Sequence, residues 1–272
     1  MFNRLSFSVL LALSAGCVSA SADDNGGTTP FLPGDEWRVH DSTRPLPPVV
    51  TPGSTTQNEM ATPPADAIVL FDGSDDLSAW EVQAEGATLW PVVDGVLMTN
   101  SSGDRAADGA KISGIRTKEA YGDIQLHLEF RVPVTSSDAS GQQYGNSGVY
   151  FMEKYEVQVL NSYENETYAD GSAASLYGWK PPLVNASRPP GEWQSYDIVF
   201  EAPEFDEDGA LVEPAYVTML HNGVLVHNRQ KLLGITVWRN VAEYEAHAAK
   251  LPFALQHHGE TVHYRNIWLR PL

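Results

Sequence analysis

The stretch IQLHLEFRV, Ile124–Val132, alternates without a break. Ile124, Leu126, Leu128, Phe130 and Val132 fall on one face, Gln125, His127, Glu129 and Arg131 on the other. A period of two belongs to a strand, whose successive side chains point to opposite faces. One apolar and one polar face predict an antiparallel sheet with one side on a core. The signature recurs outward from this stretch. Upstream, IVLF (Ile68–Phe71) is a short apolar strand, and WPVVDGVLMTN (Trp90–Asn100) reads as strand, Asp94-Gly95 turn and strand. Downstream, GVYFMEKYEVQVL (Gly148–Leu160), YDIVFEA (Tyr196–Ala202) and AYVTML (Ala215–Leu220) continue the series. Asn222-Gly223 predicts a tight hairpin into VLVHN. LPFALQ (Leu251–Gln256) and TVHYRNIWLRP (Thr261–Pro271) read as a closing hairpin. Only VAEYEAHAAK (Val241–Lys250) and Ser172–Leu176 suggest short helix. Many short strands without alternating helices predict an all-β fold, a jelly-roll sandwich of two antiparallel sheets. Tyr155, Val157, Val159, Leu126, Leu128 and Ile198 are expected between the layers, and Trp80, Trp90, Trp193 and Trp268 in the core.

The 272 residues, 42% of them hydrophobic and seven of them Trp, suffice for a sizeable core. Against 35 Asp+Glu stand 17 Lys+Arg, a net charge of −18. Such a surface repels phosphate backbones, so nucleic acid is excluded as a partner, whereas neutral sugars are not. Residues 1–22 read as a secretion signal: Arg4 is the basic start, and Leu5–Ala15 is apolar but too short to span a bilayer. The run ends at Cys17, the one cysteine, in Leu13-Ser14-Ala15-Gly16-Cys17. That is a bacterial lipobox with Ser14 in place of a larger aliphatic residue, and Cys17 is the lipidation candidate. Cleavage after Ala20-Ser21-Ala22 is the alternative. Both place the protein outside the cytoplasm, in the cell envelope, touching the membrane through a lipid anchor only. Residues 23–64 read as a Pro/Gly-rich tether, with PLPPVVTPG (Pro45–Gly53) extended and Phe31, Trp37 and Val39 able to dock. The sandwich is placed over residues 65–272.

The strand YEVQV within YEVQVLNSY (Tyr155–Tyr163) raises the functional question. Tyr155, Val157 and Val159 point one way, while Glu156 and Gln158 share the other face. Sandwich glycosidases often set two carboxylates on one strand face as Glu-x-Asp-x-Glu; here only Glu156 survives, unless Glu153 or Asp170 folds in. A solvated outer face is the plain alternative. After LPFALQ, Gln256 and His258 share a face and His257 takes the opposite one. His258, His247 and Glu156 could converge on a divalent cation, yet no tight ligand spacing supports one, so no metal and no cofactor are assigned. Arg188, in the loop NASRPPGEWQ, could clamp sugar hydroxyls; Tyr177 and Trp179 could stack on a sugar ring; Asn146 could donate to substrate. The acidic run PEFDEDG (Pro203–Gly209) is a solvated turn or a calcium loop.

GNSGVYF, YEVQVLNSY, TYADGSAASLYG, PPLVNASRPPGEWQSYDI, HNGVLV and LQHHGETVHYRNIWLRPL, in this order, resemble the 3-keto-disaccharide hydrolase family over Asp66–Leu272. The resemblance implies a concanavalin A-like sandwich acting on 3-keto-glycosides made by a partner dehydrogenase. It falls on His258 rather than His257. Members carry Asp where this chain has His257 and Gln where it has Trp179. A carbonyl at C3 acidifies the C2 proton, so one base suffices to start elimination of the C1 substituent. Glu156 is then the candidate base, with Gln158, His258 or a bound cation as electrophile. The expected site has Glu156 and His258 as catalytic residues, and Asn146, Gln158, Tyr177, Trp179, Arg188 and Gln256 around an oligosaccharide or glycoside. A non-catalytic sugar-binding module and a conventional glycosidase stay open beside it.

Overall fold

The computed structural model describes residues 28–53, 59–99, 111–135 and 138–272; the signal segment and Cys17 lie outside them. Two antiparallel sheets pack face to face as a jelly-roll sandwich. The larger has eight strands, ordered Val224–Lys231, Tyr216–His221, Gln194–Glu201, Ile124–Arg131, His263–Pro271, Val96–Met98 and Val92–Val93; Ile68–Phe71 also pairs with His263–Pro271. The smaller runs Tyr155–Val159, Ser147–Phe151, Leu251–Leu255, Ile115–Tyr121 and Trp80–Val82. Alternation decides what meets between them. Leu126, Leu128, Ile198 and Phe200 from one layer and Val149, Phe151, Tyr155 and Val157 from the other are all buried. Phe151 and Phe200 stack across the layers with centroids 4.6 Å apart. The hairpin at Asn222-Gly223 forms, with φ of 53° and 78°, the left-handed pair that a type I′ turn requires.

Three expectations are corrected. LPFALQ and TVHYRNIWLRP do not form a hairpin: Leu251–Leu255 lies in the small sheet and His263–Pro271 in the large one. Val241–Lys250 and Ser172–Leu176 are not helical. Tyr244 Oη accepts from Ala215 N and donates to Leu232 O, and a Cβ at Gly234 would run into Ala242 O, so the 241–250 segment is held extended by its neighbours. Helix propensity, worth a fraction of a kcal/mol per residue, yields to such contacts. Trp193 and Trp268 are buried but lie on the outer face of the large sheet, while Trp80 and Trp90 do sit in the core.

The Pro-rich segment of residues 28–53 packs onto the sandwich. Val39 is fully buried, His40 N donates to Asp170 Oδ2, and Arg44 Nη1 donates to Trp179 O. Val50 N donates to Asn185 O and Asn185 N to Pro48 O. Trp37 is half-buried and Phe31 exposed beneath Arg38. No helix among the described residues is long and apolar enough to cross a membrane.

Candidate active site

Tyr155–Val159 is the edge strand of the small sheet. An open edge exposes a row of unpaired backbone groups. Here the 174–177 segment covers it: Gln158 N donates to Ser175 O, Ala174 N to Gln158 O and Tyr177 N to Glu156 O. The tertiary role of Ser172–Leu176 as an edge cover explains why it is extended. With its inner face fixed in the core, the strand turns Glu156 and Gln158 outward. Gly148 and Tyr150 of the next strand share that outer face, because Tyr150 opposes Glu156 and Gly148 opposes Gln158. Asn146, Tyr150, Glu156, Gln158, Tyr177, Thr236, Trp238, Gln256 and His258 line a cavity of about 310 Å³.

Glu156 is 4% exposed and is the one carboxylate in this lining. Tyr150 Oη donates to its Oε2 at 2.7 Å, and Glu156 N donates to Thr236 Oγ1. Burial pushes the Glu156 pKa from 4.5 up to about 7; the Tyr150 hydroxyl and His258 pull it part of the way back. A carboxyl poised there can take a proton and return it near neutral pH. Burial, with Glu156 beside it, raises Tyr150, which therefore stays a protonated donor. His258 is 49% exposed at the cavity mouth, and its hydrogen bond to Glu260 at 3.1 Å raises its pKa.

Gln158 Nε2 donates to Gln142 Oε1 at 3.1 Å and to Asn146 Oδ1 at 3.3 Å. Turned over, the same amide would donate to Glu156 Oε1 at 3.2 Å and to Ser147 O at 3.3 Å. The first orientation leaves an amide oxygen against Glu156, which suits a protonated carboxyl; the second suits the carboxylate. The amide orientation therefore follows the charge on Glu156. Gly148 has its own reason: a Cβ there would sit 2.5 Å from Glu156 Oε1 and 2.8 Å from Tyr150 Cε2. Gly-Asn-Ser-Gly is thus more than a turn, since its last glycine makes room for the carboxylate.

Six of the eight expected site residues meet in this cavity: Glu156, His258, Asn146, Gln158, Tyr177 and Gln256. The other two do not. Trp179 is buried in the core, and Arg188 Nη2 donates to Gly53 O, tying down the N-terminal segment. Nor do the other carboxylates join: Glu153 pairs with Arg116, and Asp170 is buried beneath His40. His247 goes to the Tyr155 hydroxyl and does not converge with Glu156 and His258. No group of three or more His, Cys, Asp or Glu among the described residues is arranged to hold a metal ion. Tyr150, Thr236 and Trp238 line the cavity without having been singled out. The period-two step from Gly148 signals Tyr150, whereas Trp238 sits in an irregular segment with no pattern to mark it.

A larger cavity, about 620 Å³, opens on the outer face of the other sheet. Its Glu129 is held at about 2 by hydrogen bonds that outweigh burial, so it carries no proton near neutrality. Proton-transfer chemistry therefore belongs to the smaller cavity.

No curated protein sequence matches the chain significantly. A Parabacteroides distasonis protein, crystallised as a candidate glycosyl hydrolase, is 44% identical, with a TM-score of 0.72, over 84% of this chain and 93% of its own. A second from Parabacteroides distasonis, described in the same words, is 19% identical with a TM-score of 0.53, over 76% and 94%, and shows the fold alone. The profile of the 3-keto-alpha-glucoside-1,2-lyase-like domain matches residues 66–270, and the chain belongs to that family.

Proposed function

We propose that the protein is an exported enzyme that cleaves 3-keto-glycosides by proton abstraction at C2. The observation carrying this is the single carboxylate of the cavity, Glu156, with its pKa at about 7. Direct glycosidic hydrolysis normally needs two carboxyl groups across the bond. A 3-keto sugar needs one base and donors for the developing enolate oxygen. Glu156 takes the C2 proton, and the C–H electrons pass into an enolate on O3. The enolate then collapses to a C1–C2 double bond as the C1–O bond breaks. The departing oxygen takes a proton, for which His258 at the mouth is the placed donor. Water then adds its oxygen to C1 and a hydrogen to C2, so the sum is hydrolysis. Tyr150 holds Glu156, while the Gln158 and Asn146 amides are the donors beside it.

The test runs turnover of a 3-keto-disaccharide in heavy water. Deuterium should appear at C2 of the released keto sugar or of recovered substrate. Free sugar without any deuterium at C2 overturns the elimination; a sugar-binding module would give neither free sugar nor label. Gly148→Ala adds a second check. Its Cβ would push the carboxylate aside, and a displacement near 1 Å costs about 10²-fold in kcat/KM. Overpacking should cost only about 1–3 kcal/mol of stability. Unchanged turnover in a folded Gly148→Ala protein would remove Glu156 from the role.

Export rests on the signal segment, and anchoring on Cys17. Cys17→Ser is expected to leave the protein unprocessed or free of the membrane fraction. A mature wild-type N-terminus at Asp23 would replace the lipid anchor with plain secretion.

A further inference from the structure

The 620 Å³ cavity on the outer face of the eight-stranded sheet has a use of its own. The polar face of IQLHLEFRV builds it, with Asp197 opposite His127 and Ser195 opposite Glu129. His127 Nδ1 bonds Asp197 Oδ1 at 2.6 Å. Glu129 accepts from Arg265 Nε at 2.7 Å and from Asn266 Nδ2 at 2.9 Å. Burial pulls His127 down, but its two carboxylate neighbours outweigh this and lift it to about 9, so the ring is charged. The buried charges thus cancel in two pairs, His127 with Asp197 and Arg265 with Glu129.

Two polar groups are left over. Trp268, 5% exposed and stacked on His127 at 5.1 Å, lines the cavity with an indole Nε1–H that has no partner. A buried donor without an acceptor costs about 1–3 kcal/mol. Asp197 is 42% exposed, and its second oxygen carries no bond to His127. A ligand that satisfies both must offer an acceptor to the indole and a donor to the carboxylate, and a hydroxyl pair does both. An anion would meet Glu129, Asp197 and Glu59; a cation would meet Arg265 and His127. The size lies within the range of small-ligand pockets. We infer that this cavity is a second, non-catalytic site for a neutral sugar unit, on the layer opposite Glu156 and held by Trp268 Nε1–H and Asp197.

This goes beyond the proposed reaction and is tested without it, using unoxidised maltose and cellobiose on the full chain. The probe is the set of indole N–H resonances, with the Trp268 peak assigned by its loss in Trp268→Phe. The Trp268 peak should shift saturably at millimolar disaccharide, equally in wild type and Glu156→Gln. In Asp197→Asn, the amide oxygen goes to the charged His127 and its NH₂ faces the ligand, so affinity should fall about tenfold. Glucuronate should also bind about tenfold more weakly, because it meets three carboxylates. The other indole peaks report that the variants are folded. A Trp268 peak unmoved by either disaccharide, a shift confined to Trp238, undiminished affinity in Asp197→Asn, or tighter binding of glucuronate would each overturn the assignment.

Discussion

Glu156→Gln is expected to lower kcat/KM on a 3-keto-disaccharide by about 10²–10⁴-fold, the usual worth of a general base. Glutamine keeps the shape and can still accept from Tyr150, but it cannot take the C2 proton. Binding of the keto sugar should change far less, so the loss falls on kcat. The same variant should be more stable than wild type above neutral pH. The wild-type group has its folded pKa raised from 4.5 to about 7, so the native state holds a proton that the unfolded chain has released. Native stability from this group is therefore present below about pH 4.5 and falls as pH rises to about 7. Glutamine does not titrate. The variant's advantage should open across that window and reach about 3 kcal/mol at most. Urea denaturation at pH 4.5 and 8 measures it. A Glu156→Gln protein with full activity, or one that gains nothing between the two pH values, would show that the carboxyl is neither the base nor strained by burial. An enzyme that holds a desolvated carboxylate in place gives up stability to do so.

Glu129→Ala should produce the largest loss of folding stability, about 3–5 kcal/mol, because it strands a buried cation. Arg265 is 11% exposed and His127 6%. Alanine removes the acceptor of Arg265, Asn266 and Ala61 N at once. The sign of the pH dependence follows from two shifts. Glu129 is depressed from 4.5 to about 2, so its contribution is present above about pH 4.5 and is lost as pH falls toward 2. His127 is raised from 6.5 to about 9, so its contribution is complete below about pH 6.5 and is lost as pH rises toward 9. The deficit of Glu129→Ala against wild type should peak between about pH 4.5 and 6.5 and shrink on both sides. Urea midpoints at pH 3, 5.5 and 9 would show it. A deficit independent of pH would mean that lost packing, not lost charge pairing, sets the cost.

Alternation made the layers legible before any coordinates, because a strand with one face on a core can hide its apolar residues only every second position. It is blind to which layer a strand joins. LPFALQ and TVHYRNIWLRP each have an apolar inner face, and nothing in that pattern distinguishes a hairpin from a crossing between sheets. VAEYEAHAAK carries helix-forming residues, yet its conformation is set by Leu232, Ala215 and Gly234, which are distant from the pattern. In the site, period two put Glu156 with Gln158 and Gln256 with His258. Pairing register, which brings Tyr150 opposite Glu156, is not written in either strand alone. Loop residues carry the least information. Trp179 and Arg188 look like sugar contacts in sequence but face the core and Gly53, while Trp238, 73% exposed beside the cavity, carries no mark.

The docking of Thr29 and Val39 on the sandwich has a consequence for reach. A free tether from Cys17 to residue 64 could extend more than 150 Å at about 3.3–3.6 Å per residue. With Thr29 bonded to Val39 and Val39 buried, the free span from Cys17 to Thr28 is on the order of 40 Å. On the anchor proposed at Cys17, the enzyme patrols a shell no deeper than one or two protein diameters above the lipid. Its glycosides must then be delivered to the membrane surface, by diffusion or by an oxidising enzyme stationed on the same bilayer.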